Sequence, residues 1–383
     1  MGLISPLGNT ACDVLAQARA GRSAVHRLEL SFAARLTAPL AATAAFDGSQ
    51  HGTPAQQRML DRLSQMALFA APHAVTDSPG ALIDLPGHPG GVFSGTGMGG
   101  TLTMDAGYQM LIEQMLNKQK LNKQMLNEQQ SDRIKPFTIL MGMHNAAPAW
   151  VGMQHGLEGP NLTYSTACSS SAVAIGEAWL RVASGQLEVA LARGAEAPLS
   201  NGSLKAWEAL HTLATQDART PSASCRPFSK NRSGMVLGEG AAMLVLEPWT
   251  RARARGAFSH GEIIGYGLSN HASDITRPSV QGLAAAMRAA LLAAATKVQQ
   301  VDAINAHGTG TPANDSTETA AIRALFGAHA ERLLVSATKA LHGHLLGAAG
   351  ALECVLSLLA MQQRVALPTM HWQAPDPTAI STL

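Results

Sequence analysis

Four side chains in this sequence could do nucleophilic chemistry together: Cys168 in YSTACSSSAVAIGEA, His307 in NAHGTGTPANDSTE, and Lys339 and His344 in SATKALHGHLLGAAG. Sulfur attacks as thiolate, and the free N–H groups and positive dipole end of a helix N-terminus favour that form. Cys168 has this placement by pattern, because residues 160–166 read as a buried strand and residues 172–184 carry helical spacing. Its small, hydroxylated neighbours keep the turn tight and leave room for a substrate chain. A cysteine taken alone is more often a small buried hydrophobe. The histidines change that reading: His307 directly follows VDAINA, and Lys339, His342 and His344 follow LLVSA, both strand-like. Three strand ends thus bring a thiol, imidazoles and a cation to the rim where α/β sheets collect their active sites.

Two rival chemistries use the same segments. His307, Asp315, Glu318 and His344 offer nitrogen and oxygen donors for a metal. Against this, HGTGT is no ligand pair on one helix face, and Lys339 adds a positive charge. The glycine turn GTGMGG at residues 95–100, after the strand-like VFS, is similar to a dinucleotide-binding fingerprint. It reads GxGxGG with no acidic residue at the expected distance, which favours a tight turn and close packing.

The elements that must position these groups repeat one rhythm. Strand-like residues 92–94, 160–166 and 186–192 alternate with helical spacing, which implies parallel pairing. The pattern returns as strands at 240–247, 301–306 and 333–337, with helices at 281–295 and in GAAGALECVLSLLAMQQ. An internal duplication follows, with residues 1–247 carrying the nucleophile and residues 248–383 both histidines. Residues 114–130, QMLNKQKLNKQMLNEQQ, interrupt the first half. Their leucines at 116, 121 and 126 are five apart, an advance of about 500° on a helix, so they form no stripe. The segment reads as a solvated insertion or helix extension.

Bulk composition narrows the class. A chain of 383 residues, 46% hydrophobic and 14% charged, can bury a large core and is not a disordered chain. A net charge of +2 gives no global attraction to nucleic acid or membrane. Cys12, Cys168, Cys225 and Cys354 form no CxxC pair, which fits a reducing compartment. MGLISPLGNT has no basic segment leading into an apolar run, and no uninterrupted apolar stretch reaches about 18 residues. The expectation is a cytoplasmic α/β protein.

Taken together, TACSSS, NAHGTGT and TKALHGHLLGAAGALE, in that order, resemble the β-ketoacyl-acyl-carrier-protein synthases, closest to the elongating I/II class and polyketide ketosynthases. GLISPLGNT, GLEGPNLTYSTAC and RPFSKNRSGMVLGEGAAMLVLE extend the similarity over nearly the whole chain apart from the glutamine-rich insert. The resemblance implies a thiolase-like fold, duplicated and layered α-β-α-β-α, and usually a homodimer. It implies that Cys168 accepts an acyl group from acyl carrier protein, and that malonyl carrier protein then condenses on it with loss of carbon dioxide. His307 and His344 match the catalytic histidines, and Lys339 the active-site lysine with Glu318 as its charged partner and Asp315 nearby. Thr309 and Thr311 match threonines that hold the phosphopantetheine arm. Met143 falls in the acyl-pocket segment, and Arg58 and Arg62 near the carrier-protein docking mouth. No further cofactor, metal, nucleic acid or membrane is implied.

Some positions depart from the family pattern. Relatives continue beyond LPTMHWQAPDPTAISTL into a GFGGTN-type loop and begin with a longer first strand. Asn314 replaces a usual glycine, and Ser233 and Met235 stand where an aspartate and an aromatic are common. The alternative to an active enzyme is therefore a non-catalytic partner subunit of the chain-length-factor type, which typically lacks the cysteine that is present here. A partner subunit could also make the dimer a heterodimer.

Overall fold

Alternation along short apolar strands decides how the first half folds. Val92, Leu191 and Met243 point to one side of a sheet, and Phe93, Ala192 and Leu244 to the other. This is the period-two pattern of strands covered on both faces. The structure, a computed structural model, describes residues 1–82, 90–120, 133–374 and 376. Its strands are β1 (Gly2–Ile4), β2 (Val25–Arg27), β3 (Leu40–Ala42), β4 (Gly91–Gly95), β5 (Asn161–Tyr164), β6 (Ala190–Glu196), β7 (Gly240–Leu246), β8 (Ala303–Asn305) and β9 (Leu334–Ser336).

Five strands form one sheet in the order β1–β7–β6–β4–β5, and β8 pairs in parallel with β9 as a second. The helices Arg62–Thr76 and Ala146–His155 cover the outer face of the large sheet through Ala71, Ala74 and Val151. Ser170–Ala183 and Ala349–Gln363 cover the inner face with Ala174, Ile175, Leu352 and Val355. The Ala349–Gln363 helix also meets the second sheet, where the Asn305 side-chain amide donates to the Glu353 carbonyl (3.3 Å) and to Ser357 (3.2 Å). Val280–Ala293 and Pro312–Phe326 close the far side around Ile322, Phe326 and Val335. The layer order is the expected α-β-α-β-α. The stretch Leu346–Gln363 is long and apolar enough to cross a membrane, but half of it is buried within these layers.

Parallel pairing holds for β4 with β5 and β6, and for β8 with β9. It fails for β7, which runs antiparallel to β6 with Glu196 opposite Gly240. The connection, which includes the helix Asn201–Ala209, brings the chain back to the end of the sheet that it left. β6 also starts later than expected, because Leu187 packs under the Ser170–Ala183 helix before the ladder begins at Ala190. The insert begins as a continuation of the helix Thr101–Lys120. Gln114 receives the returning chain, donating to the Arg133 carbonyl and accepting its N–H. Leu121 and Leu126 lie outside the described residues.

One residue of β6 works against this core. Arg193 is 1% exposed, and burial pushes its guanidinium down to about 9. Its Nε and Nη1 have no hydrogen-bond partner among the described residues. Each unsatisfied buried polar group costs about 1–3 kcal/mol. Arg193→Met should therefore raise the urea midpoint, by the equivalent of about 1–4 kcal/mol. A lowered midpoint would show that the guanidinium has a partner.

Candidate active site

The turn carrying Cys168 is built by its serines. Ala167 is left-handed (φ 52°), a strained conformation for a residue with a Cβ. Ser170 Oγ accepts the Thr166 N–H (2.9 Å) and donates to the Ala167 carbonyl (2.6 Å), while Ser169 Oγ donates to the Thr166 carbonyl (2.7 Å). Ser171 Oγ accepts the Ala351 N–H (2.9 Å) and ties the turn to the Ala349–Gln363 helix. Gly95 lies against this start, where a Cβ would come within 2.2 Å of the Ser171 nitrogen. Cys168 is left half-buried at the head of the Ser170–Ala183 helix. Burial pushes the thiol up, against the expected pull of the helix terminus, and nearby Lys339 partly offsets this.

His307 stands two residues beyond β8, and His344 follows the short helix Lys339–His342. His344 Nε2 lies 3.1 Å from Cys168 Sγ, and the two imidazoles pack edge to face with centroids 5.2 Å apart. The Leu346 N–H donates to His344 Nδ1 (3.1 Å). The ring's own proton is therefore on Nε2, directed at the sulfur. Burial, reinforced by the Lys339 charge, holds both histidines well below their ordinary range, so both are neutral near pH 7. His342 is buried separately, bonded to Thr338 Oγ1 (3.0 Å) and pushed down to about 3 by burial.

Lys339 is fully buried and donates to the His307 carbonyl (2.6 Å). Its carboxylate partner is Glu353, not Glu318 as the resemblance implied. Glu318 instead accepts the backbone N–H groups of His307 (2.6 Å) and Gly308 (2.9 Å). Asp315 likewise accepts from Phe228 N (2.7 Å) and Gly310 N (3.2 Å). These two carboxylates brace the histidine loop, and the four-residue metal set considered above is not assembled. Among the described residues, the potential ligand atoms within 4.8 Å of one another are those of Cys168, His307 and His344. In the same loop, Thr309 and Thr311 are joined through their hydroxyls (2.8 Å).

Other expected residues fall outside this cluster. Arg62 forms a double hydrogen bond with Glu239 and reaches the Phe46 and Ala44 carbonyls, a structural clamp at the edge of the groove that Arg58 also lines. Arg58 is exposed on a groove of about 820 Å³ shared with Lys135, Met59, Met110 and Phe137. Lys135 was missed in the sequence because it adjoins the biased insert. Met143, at the end of the helix Thr138–Gly142, is 43% exposed and not enclosed in an acyl pocket within this chain.

Glu196 was also missed. Fully buried at the end of β6, it accepts from Thr96 Oγ1, Gly97 N, Met98 N and Gly347 N. Burial still pushes it up to about 7. The N–H groups of the glycine turn are thus directed at a protein carboxylate, which removes the basis for a dinucleotide-phosphate reading. The only sequence signal was an acidic residue closing an apolar strand, in ALARGAE.

Comparison with known proteins agrees with this geometry. Residues 1–252 match the family model for the beta-ketoacyl synthase N-terminal domain, and residues 260–373 that for the C-terminal domain. The chain is 37% identical to nodulation protein E of Rhizobium sp. over 377 residues, 98% of this chain and 88% of that protein. It is 34% identical to 3-oxoacyl-acyl-carrier-protein synthase 2 of Staphylococcus aureus over 380 residues, again 98% and 88%. A beta-ketoacyl synthase from Burkholderia phymatum superposes with a TM-score of 0.86 at 30% identity, over 99% of this chain and 89% of that one. A type II PKS ketosynthase in complex with its acyl-carrier protein gives 0.83 at 27%, over 98% and 88%. Fold, site and sequence converge: this chain belongs to the β-ketoacyl synthase family, with its thiolase-like fold, and is an acyltransferase-type condensing enzyme of fatty-acid or polyketide biosynthesis.

Proposed function

We propose that Cys168 carries the acyl group while His307 and His344 hold the enolate formed from malonyl-acyl carrier protein. The observation that carries this assignment is the Nε2–H of His344, 3.1 Å from Sγ and fixed in that tautomer by the Leu346 N–H. In loading, Sγ bonds to the acyl carbonyl, the carrier's thioester C–S bond breaks, and the thiol proton goes to the departing pantetheine sulfur. In condensation, the bond from the malonyl methylene to its carboxylate breaks, and carbon dioxide leaves. The electron pair moves into the thioester as an enolate, whose oxygen accepts N–H bonds from the two neutral histidines. The enolate carbon attacks the Cys168 thioester and the C–S bond breaks. The 3-oxoacyl group stays on the carrier, and the sulfur takes a proton from solvent.

The reaction so written needs no cofactor beyond the carrier's phosphopantetheine arm, which Thr309 and Thr311 receive. The backbone N–H of Cys168 contributes a further oxyanion donor. Lys339 acts through its charge, and Asp315 and Glu318 by bracing the loop. The nucleophile-bearing half ends after Glu247, and the histidine-bearing half follows. Retention of Cys168 with both histidines favours a catalyst over a chain-length-factor type subunit.

For partners, we place acyl carrier protein at the groove shared by Arg58 and Lys135, where two cations meet its acidic surface. A second ketosynthase-like chain, identical or not, covers the open edge of β5. Leu162, Ile139, Met143 and Met153 are exposed on the neighbouring surface, and Met143 reaches an acyl pocket only in that assembly. A cytoplasmic location completes this reading.

Four outcomes test it. Cys168→Ala should abolish loading, read as the intact-mass increase after mixing with an acyl carrier protein. His307→Ala and His344→Ala should still load but condense about 100–1000-fold more slowly, and equal loss of both steps would contradict the assignment. Loading should rise about tenfold per pH unit from 6 to 8, because burial holds the thiol above its ordinary value. Over that range, condensation by preloaded enzyme should stay flat, because both imidazoles remain neutral; a loading plateau near pH 7 would rule out a neutral resting thiol. Light scattering should give a species of twice 39.9 kDa that Leu162→Glu splits. A chain that stays monomeric until it meets a different ketosynthase-like chain would select the heterodimer, and one that pairs with neither would remove the β5 interface.

A further inference from the structure

The tautomer of His344 depends on one strained residue. Leu346 is left-handed (φ 44°), and in this turn its N–H comes back onto His344 Nδ1. The backbone of His344 is itself pinned, donating to the Val236 carbonyl (2.7 Å) and accepting from Gly238 N (2.9 Å). The Ala348 N–H closes the turn from within on the Leu345 carbonyl (2.9 Å), and the peptide after Leu346 is held from outside it. Its N–H, on Gly347, donates to Glu196 Oε2 (2.9 Å). The same carboxylate takes Gly97 N (2.6 Å), Met98 N (3.1 Å) and Thr96 Oγ1 (3.0 Å), so its other contacts fix it to the turn after β4. The approach is too close for side chains, since a Cβ on Gly347 would lie 2.3 Å from Gly97 N.

We infer that Glu196 is a positioning residue for the condensation step, locking the peptide between Leu346 and Gly347 so that His344 presents Nε2–H to the substrate thioester. It rests on the roles proposed above for Cys168 and His344. Glu196 touches no reacting atom. Its carboxylate accepts four donors at once, whereas a glutamine would turn an N–H₂ group toward some of them. The Leu346 turn then loses its clamp, His344 Nδ1 loses its donor, and the imidazole proton is no longer confined to Nε2. Loading relies on the Cys168 turn, held by Ser169, Ser170 and Ser171, and is affected least.

The test separates the two half-reactions in the intact chain. Glu196→Gln and the charge-retaining Glu196→Asp should load Cys168 within about threefold of the unmodified rate. Their decarboxylation and condensation should fall by about 10–100-fold, a partial loss of the effect of one oxyanion donor. Histidine ring nitrogen shifts should show proton density moving from Nε2 to Nδ1 of His344 in the glutamine variant. A general structural role predicts otherwise: both steps would fall by one factor, in line with the folded fraction, with the tautomer unchanged, and that result overturns the inference. The unmodified protein gives a check that no variant's folding can spoil, since a protonated Nδ1 on its His344 also overturns it. Failure of the unmodified enzyme to condense at all, with Nε2 protonated, would strike at the proposed histidine roles instead.

Discussion

A single buried ammonium sets the chemistry of this site. Lys339 lies in the protein interior, held by Glu353 and the His307 carbonyl. Burying such a charge is costly unless a partner and hydrogen bonds accompany it, and breaking a buried pair typically costs about 3–5 kcal/mol. Burial keeps His307 and His344 neutral, the Lys339 charge reinforces this, and the same charge draws the Cys168 thiol partway back toward ionisation. The histidines can then donate N–H bonds without becoming cations. The Glu353 carboxylate balances the charge from within an otherwise apolar helix, so that helix is a core element and the counter-ion support at once.

Around this charge the fold converges five strand ends from two sheets. The ends of β4 and β6 bring the glycine turn and Glu196, and the chain beyond β5 brings the thiol. The ends of β8 and β9 bring the histidines and the lysine. Contact between these segments is backbone to backbone: Gly95 rests on the start of the cysteine helix, and Gly347 rests on Gly97. Small residues here serve proximity, and the serines after Cys168 serve as internal bracing.

Much of this was legible in the chain. Strand ends followed by Cys168, His307 and His344 foretold the reactive cluster, because period-two patterns and turn residues are local signals. Pairings across the fold were not local and were missed. Glu318 and Glu353 are both acidic residues on helices within about twenty positions of Lys339, and nothing in spacing says which one faces it. Arg62 resembled a docking cation, but Glu239, far along the sequence, claims it. The reversal of β7 depended on a connection that returns to the same end of the sheet. At Cys168 burial acts against the helix terminus, and only the terminus is legible in sequence, which shows what flanks a cysteine and not what covers it.

That depth has a consequence for survival. Peroxide attacks thiolates, and the sulfinic and sulfonic acids that follow are dead ends for a nucleophile. A sulfur pushed toward the thiol by burial presents less of the oxidisable form. Burial that pushes the Cys168 thiol up thus also opposes formation of the thiolate on which oxidation depends.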